Sequence, residues 1–321
     1  MELTTDGSPK DRRILVATSA CLLGHRVRYD GADKRSDWIA DTLAQHLTLV
    51  PFCPEAEAGL GVPRTPMRLI RDSQSLRLIT LDPPTRDMTL VLQHFIERKM
   101  VQLSAVPPAG IIFKSGSPSC GLKSVGVWHP ETATTEMGSG LFAQACLQAW
   151  PLTVSVQESD LTTTMNRGLF LERLFVMDRW RHLLECGQAP KALSRFHARH
   201  KFQIMSRDRQ ALSILGQLTA GPPGEPRVAE YGRRLLTTLA IPPSHALQID
   251  VLMHLYGMIK KSVSASENKE FLSLTEKSRQ LRTSLHEPLS WLRFQAQRCQ
   301  NRYLLEQWYL FPDPRQAAIP I

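Results

Sequence analysis

The chain has 321 residues, of which 42% are hydrophobic and 21% charged, and its formal net charge is +9. That length suffices for about two domains at roughly 100–200 residues each. No apolar run approaches the roughly 18–20 residues that a membrane helix needs. The N-terminal stretch MELTTDGSPKDRR lacks the apolar centre of a signal peptide, so a cytoplasmic protein with no membrane partner is expected. Six cysteines do not make a secreted disulfide framework in a chain of this size. They read as buried thiols, nucleophiles or metal ligands.

In chain order, Ile14–Ser19 is a short apolar run of strand type, and Asp37–His46 has the period of an amphipathic helix. Leu47–Phe52 is a second strand and Leu76–Leu81 a third. A long helix spans Thr85–Leu103, Gly110–Lys114 is a fourth strand, Leu141–Trp150 a helix and Leu152–Val156 a last strand. Strands separated by helices of this length predict βαβ units, hence an α/β domain with a Rossmann-like, mostly parallel sheet. After residue 160 the strand signal stops. Gly168–Cys186, Ala192–Leu218, Arg227–Leu239, His245–Lys261, Asn268–Leu285 and Leu289–Trp308 are helical in period, punctuated by PPGEP at 222–226 and IPPS at 241–244. The expected organisation is an α/β domain over 1–160 and an all-α domain over 161–321, joined near SDLTTT at 159–164.

Charge follows the same division. Residues 1–160 hold 16 basic and 17 acidic groups, whereas 161–321 hold 23 and 13. A neutral half joined to a basic half suggests chemistry in one and a polyanion held by the other. In the helical half Arg195, Arg199, Lys201, Arg207, Lys260 and Lys261 are candidate RNA contacts. The interleaved Phe196, Phe202, Tyr231, Tyr256 and Trp291 read first as core and second as stacking surfaces for bases.

Three cysteines stand apart from the rest. Cys21 lies in SACLLGHRVRYDG, Cys53 in PFCPEAEAGLGVPR and Cys120 in KSGSPSCG, each just after a predicted strand. Parallel sheets bind ligands beyond the carboxyl ends of their strands, so all three thiols are expected at one edge. Such a set suits a metal or iron–sulfur site with one coordination position open; the alternative is scattered structural thiols, which is the reading for Cys146, Cys186 and Cys299. Near them, Glu55 is a candidate general base, and Ser117 and Lys114 candidates for proton transfer or substrate orientation. Arg26, Arg28, Tyr29, Asp30, Glu57 and Arg64 lie in the same motifs. GLGVPR is glycine-rich, but neither GxxxxGK(S/T) nor GxGxxG is present, so no nucleotide cofactor is expected.

SACLLGxxVRYDG, CPExxxGLxxPR and FKSGSPSCG together resemble the desulfidase family first known as a domain of unknown function and later tied to thiouracil desulfidase. HKFQIMSRD, VLMHLYGMIKK and YLLEQWYLFPDPR resemble a second uncharacterised domain often fused to it, and the fusion is similar to bacterial tRNA 4-thiouridine desulfidases. The resemblance implies a 4Fe-4S cluster held by Cys21, Cys53 and Cys120 alone, its fourth iron open to the substrate's thiocarbonyl sulfur. Water would then replace sulfur at C4 of the pyrimidine, a carbon–sulfur hydrolysis that gives uridine and hydrosulfide without net redox change. The implied partner is tRNA carrying 4-thiouridine. The alternatives are free thiouracil or 4-thio-UMP as substrate, or a non-catalytic iron–sulfur RNA-binding module.

Overall fold

The structure is a computed structural model, and it describes residues 13–72, 75–187, 189–220, 224–281 and 284–321. The polar N-terminal stretch 1–12 and part of the 222–226 breaker lie outside the described residues. The chain divides into two compact units, one of residues 1–178 with Ile319–Ile321, the other Arg179–Ala318. The division falls inside a helix, past the junction expected near 160, and the last three residues return to the first unit.

In the first unit, β1 (Leu15–Ser19), β2 (Thr48–Phe52), β5 (Gly110–Phe113) and β8 (Val154–Gln157) form a four-stranded sheet in the order β2-β1-β5-β8. Every pairing in it is parallel, Val16 lying opposite Leu49 on one side and Gly110 on the other. Val16, Ala17, Ile111, Ile112 and Phe113 are all buried, as near-continuous apolar runs in a doubly covered parallel sheet should be. A π-helical turn, Trp38–Leu43, runs into α1 (Ala44–His46) between β1 and β2, while α2 (Pro54–Glu57), α3 (Thr89–Ala105) and α4 (Leu141–Ala149) occupy the later connections.

A second sheet has the order β4-β3-β6-β7, built from β3 (Met67–Arg71), β4 (Leu76–Thr80), β6 (Val125–His129) and β7 (Thr134–Gly138). The predicted third strand belongs here, as β4, antiparallel to β3, and not to the parallel sheet. Three strands of this sheet were not predicted. β7 (TTEMG) is exposed throughout most of its length, so it has no apolar alternation to read. Both sheets contribute to one core, in which Phe142 of α4 packs against Phe52 at 5.0 Å, Phe95 at 6.3 Å and Phe113 at 6.5 Å between ring centroids.

The second unit is helical. The helix α5 (Thr164–Glu185) crosses the division and is followed by α6 (Ala189–Met205), α7 (Arg209–Ala220), α8 (Glu225–Ala240), α9 (His245–Gly257), α10 (Ala265–Leu281), α11 (His286–Arg298), α12 (Arg302–Leu305) and α13 (Pro314–Ala317). The single helix predicted over Ala192–Leu218 is two. Asp208 Oδ1 accepts from the amides of Gln210 (2.7 Å) and Ala211 (3.0 Å), starting α7 as an N-cap. The helix predicted over Leu289–Trp308 likewise ends at Arg298, and Asn301 caps the short α12 through the Leu304 amide. Phe196, Phe202, Tyr231, Tyr256 and Trp291 are buried, as core residues.

Phe142 is fully buried and touches three other rings beneath the strand ends. Phe142→Ala is expected to destabilise the protein by about 3–5 kcal/mol, the cost of emptying a core aromatic site, measured by urea denaturation of the full chain.

Candidate active site

The order β2-β1-β5-β8 has its switch point at β1 and β5, whose outgoing connections turn to opposite sides of the sheet. That leaves a crevice beyond their carboxyl ends. A cavity of about 310 Å³ lies there, lined by Cys21, Cys53 and Cys120 together with Glu55, Ser117 and Lys114. Cys21 sits in a single turn, Ala20–Leu23, directly after β1. Cys53 follows β2 as the N-cap of α2, with Pro54 opening the helix and the Cys53 amide donating to Glu57 Oε1 at 2.7 Å. Cys120 ends the loop after β5, and its amide donates to Ser117 Oγ at 3.2 Å.

The Cys120 loop is fixed by the start of α4. The amides of Phe142 and Ala143 both donate to the Ser119 carbonyl, at 3.0 and 3.2 Å, and Gly140 donates to the Gly121 carbonyl at 2.8 Å. A Cβ at Gly140 would stand 2.4 Å from the Ser119 carbonyl carbon and 2.8 Å from the Cys120 nitrogen. Only glycine permits this backbone approach.

Two ion pairs border the cavity, Glu55–Arg64 buried and Lys114–Glu158 half-buried. Glu55 accepts from Arg64 through Nε at 2.9 Å and Nη2 at 2.5 Å, and its other oxygen accepts from the hydroxyls of Ser119 (2.6 Å) and Ser117 (3.2 Å). Arg64 Nη1 donates to the carbonyls of Val27 and Gly61, so the pair is locked to the Cys21 and Cys53 loops. In the other pair, Lys114 Nζ donates to Glu158 Oε1 at 2.5 Å, and the Ser115 amide and hydroxyl also donate to Glu158. Burial alone would push the Glu158 carboxyl up. The hydrogen bonds from Lys114 and Ser115 outweigh it and hold that carboxyl below its ordinary range. The third cation of the wall, Arg28, is bonded to Asp30.

Every cation lining the cavity is therefore already matched to a carboxylate, which bears on the thiols. Burial, and then the charge of Cys53, push the Cys21 thiol up to about 11. Burial raises Cys53 and lifts Cys120 well above the ordinary thiol range, with Glu55 adding to the effect. Among the described residues no free side-chain cation lines this wall to offset three thiolates, so their ionisation requires a cationic group between them. Among the described residues no three of His, Cys, Asp or Glu gather closely enough to hold a single metal ion. A donor set of three thiols and no imidazole, arrayed around a cavity, suits a cluster whose irons each take one thiolate.

The expected site residues of the first unit thus come together in one place. Ser119 and Glu158 were missed. Ser119 carries its signal in SPSC, one residue from the thiol, and Glu158 in its position just past the last parallel strand. The expected RNA contacts do not come together. Arg207 is buried, donating to Gln203 and Ile241 carbonyls and the Ser206 hydroxyl. Arg199 is buried with its guanidinium 4.3 Å from the Trp308 ring centroid. Neither can reach a phosphate, and both act in the packing of the helical unit instead. Lys201 is half-buried beside Phe202, and the exposed Arg195 pairs with Glu306 at 3.7 Å. Lys260 and Lys261 are exposed.

Residues 16–158 match the family model for 2-thiouracil desulfurase, and residues 201–314 match a family described as a protein of unknown function, DUF1722. Among solved structures, the 4Fe-4S-dependent thiouracil desulfidase TudS is 29% identical to this chain, over 47% of this chain and 93% of its own, with a TM-score of 0.37. No curated protein matches the chain. Among the described residues no helix is long and apolar enough to cross a membrane.

Two predictions follow from the walls of the cavity. Gly140→Ala must displace the Ser119–Cys120 backbone, and iron bound per chain after anaerobic reconstitution is expected to fall below half the wild-type value. The Lys114–Glu158 pair stabilises the fold only while Glu158 is ionised. Because its folded-state pKa is lowered, that contribution is complete above the ordinary value of 4.5 and fades as pH falls through the folded pKa. Glu158→Gln is expected to be less stable than wild type at pH 7, with the gap closing as the pH drops below 4.5 in pH-resolved denaturation.

Proposed function

We propose that this protein is an iron–sulfur-dependent desulfidase that hydrolyses the carbon–sulfur bond of a thiolated pyrimidine, and that its substrate is 4-thiouridine in tRNA. The observation that carries the proposal is the meeting of Cys21, Cys53 and Cys120, from three separate loops, in one cavity whose wall holds an acid–hydroxyl network. It lies within the stretch that matches the 2-thiouracil desulfurase model.

Cys21, Cys53 and Cys120 would hold a 4Fe-4S cluster. When bound, the cluster supplies a Lewis-acidic iron that polarises the carbon–sulfur bond. The chain's own residues supply the proton chemistry. A water that adds to the ring carbon must lose a proton, and the hydroxyls of Ser117 and Ser119 lead from the cavity to the same oxygen of Glu55. Arg64 holds the other oxygen and so keeps the accepting one turned toward the serines. Sulfur leaves as hydrosulfide, the carbonyl oxygen comes from water, and no electrons are exchanged. Lys114, bound to Glu158 and Ser115, keeps its part of the wall neutral.

The basic second half, with exposed Lys260 and Lys261, supports a polyanionic substrate. Free thiouracil is the second reading, favoured by the small volume of the cavity and the description of the matching family. Full-length protein reconstituted anaerobically is expected to bleach the near-ultraviolet band of thiolated tRNA, whereas Cys21→Ala binds no cluster and leaves the band intact. Glu55→Gln should retain its iron and lose about 10²–10⁴-fold in rate, the usual share of a general base. Lys260→Ala with Lys261→Ala should slow tRNA turnover and flatten its salt dependence without changing turnover of 4-thiouracil. An intact cluster with an unchanged band on every thiolated substrate would sink the proposal.

A further inference from the structure

The two faces of α3 are unlike. Leu92, Phe95, Ile96 and Leu103 are buried in the core shared by the two sheets. The opposite face carries Leu90, His94, Glu97 and Val101, all exposed. Leu90 is 69% exposed and Val101 74%, and Val91 and Val106 extend the apolar surface at 41% and 63%. Residues three and four positions apart lie in one line along a helix, and this spacing is that of a seam packed against a second helix.

The helix cannot turn this face inward. It starts at the rim of a second, outer cavity of about 380 Å³, which shares Arg64 and Met67 with the cysteine cavity and takes in Asp82 and Arg86 of the preceding loop. There the Met88 amide donates to the Leu78 carbonyl at 2.8 Å, the Leu78 amide to Thr89 Oγ1 at 2.9 Å and the Thr89 amide to Asp87 Oδ1 at 2.9 Å. Further along, Lys99 Nζ donates to Glu57 Oε2 at 2.9 Å. By contrast His94, Glu97 and Arg98 make no side-chain hydrogen bond or ion pair among the described residues.

The order of groups on the exposed face is its own complement. A two-fold axis across the helix, at the level between Phe95 and Ile96, brings Leu90 of one copy opposite Val101 of the other and His94 opposite Glu97. Beside them Gln93 comes opposite Arg98, and each pairing occurs twice. A closed two-fold interface requires this self-complementarity. A parallel pairing would set Glu97 against Glu97 and His94 against His94, so the charges select the antiparallel one. A lipid surface is a poor match, because the middle of the face is polar.

We infer that α3 is a self-association surface, on which a second copy of this chain seats its own α3 antiparallel. The inference is independent of the reaction proposed above. The helix has 17 residues and is about 25 Å long. One helix pair of that length lies at the low end of specific interfaces, below about 1,200 Å². The association is therefore weak, with a Kd on the order of 10 µM.

Sedimentation velocity of the full-length protein between about 1 and 200 µM is expected to show a shift from monomer toward dimer. Val101→Glu is expected to stay monomeric throughout. Because Val101 is exposed, its thermal midpoint at about 1 µM, where both proteins are monomeric, should equal that of wild type, which separates lost association from lost folding. Glu97→Lys should weaken the dimer about 10-fold by setting Lys against His94. Combining it with His94→Glu should restore wild-type association, since opposite charges again face each other across the axis. A chain that is monomeric at every concentration overturns the inference. So does a dimer indifferent to Val101→Glu, or a charge exchange that fails to restore association.

Discussion

With β1 hydrogen-bonded to β2 on one side and β5 on the other, all running in one direction, the chain leaving each carboxyl end must turn aside to reach a connecting element. The connections diverge, and the space between them cannot be filled by regular structure. The protein fills its rim with thiols. Cys21 follows β1 by two residues, Cys53 follows β2 directly, and Cys120 is carried in by the SPSC loop after β5. The convergence is therefore a consequence of sheet order. Without β1 in the central position, the first and third loops would not meet, and the Ser19 hydroxyl would not accept from the Lys114 amide across the strand ends at 3.0 Å.

Electrostatics then constrain what that rim can hold. Glu55 and Glu158 each take a cation and serine hydroxyl donation: buried Glu55 receives Arg64 on one oxygen and Ser117 and Ser119 on the other, and half-buried Glu158 receives Lys114 and the Ser115 hydroxyl on one oxygen and the Ser115 amide on the other. Removing one partner of the buried Glu55–Arg64 pair strands a charge at a cost of about 3–5 kcal/mol. Their cations are thus committed, and the thiols are left to whatever cationic group they share. Burial that raises all three thiols has the same consequence, since a protonated thiol is a poor ligand and a cluster must displace its proton.

The site was legible in the sequence where chemistry and strand ends coincided. Cys21, Cys53 and Cys120 each followed an apolar run, and the rule for parallel sheets located them together. Glu158 was not legible, because nothing in VSVQES distinguishes a carboxylate that reaches Lys114 across 44 positions of chain. Three strands of the second sheet escaped; β7 among them is mostly exposed and has no apolar alternation to read. In the helical unit, Arg199 and Arg207 looked like surface cations from their spacing. Their burial depends on the Trp308 ring from the far end of the chain and on carbonyls at the ends of α6 and α8, neither of which periodicity encodes.

The second sheet has a role that its small size conceals. Met67, the first residue of β3, walls both cavities, and the loop leaving β4 carries Asp82 and Arg86 into the outer one. The parallel sheet carries the three thiols, the β3–β4 pair carries Asp82 and Arg86 at the outer cavity, and the two sheets share the core around Phe142. Around the three thiols each carboxylate and cation is paired, which avoids the cost of a buried, uncompensated charge. With Arg64 fixed between the two cavities, the cations of the inner one are each matched to a carboxylate, whereas Arg86 and Asp82 of the outer one make no side-chain ion pair among the described residues.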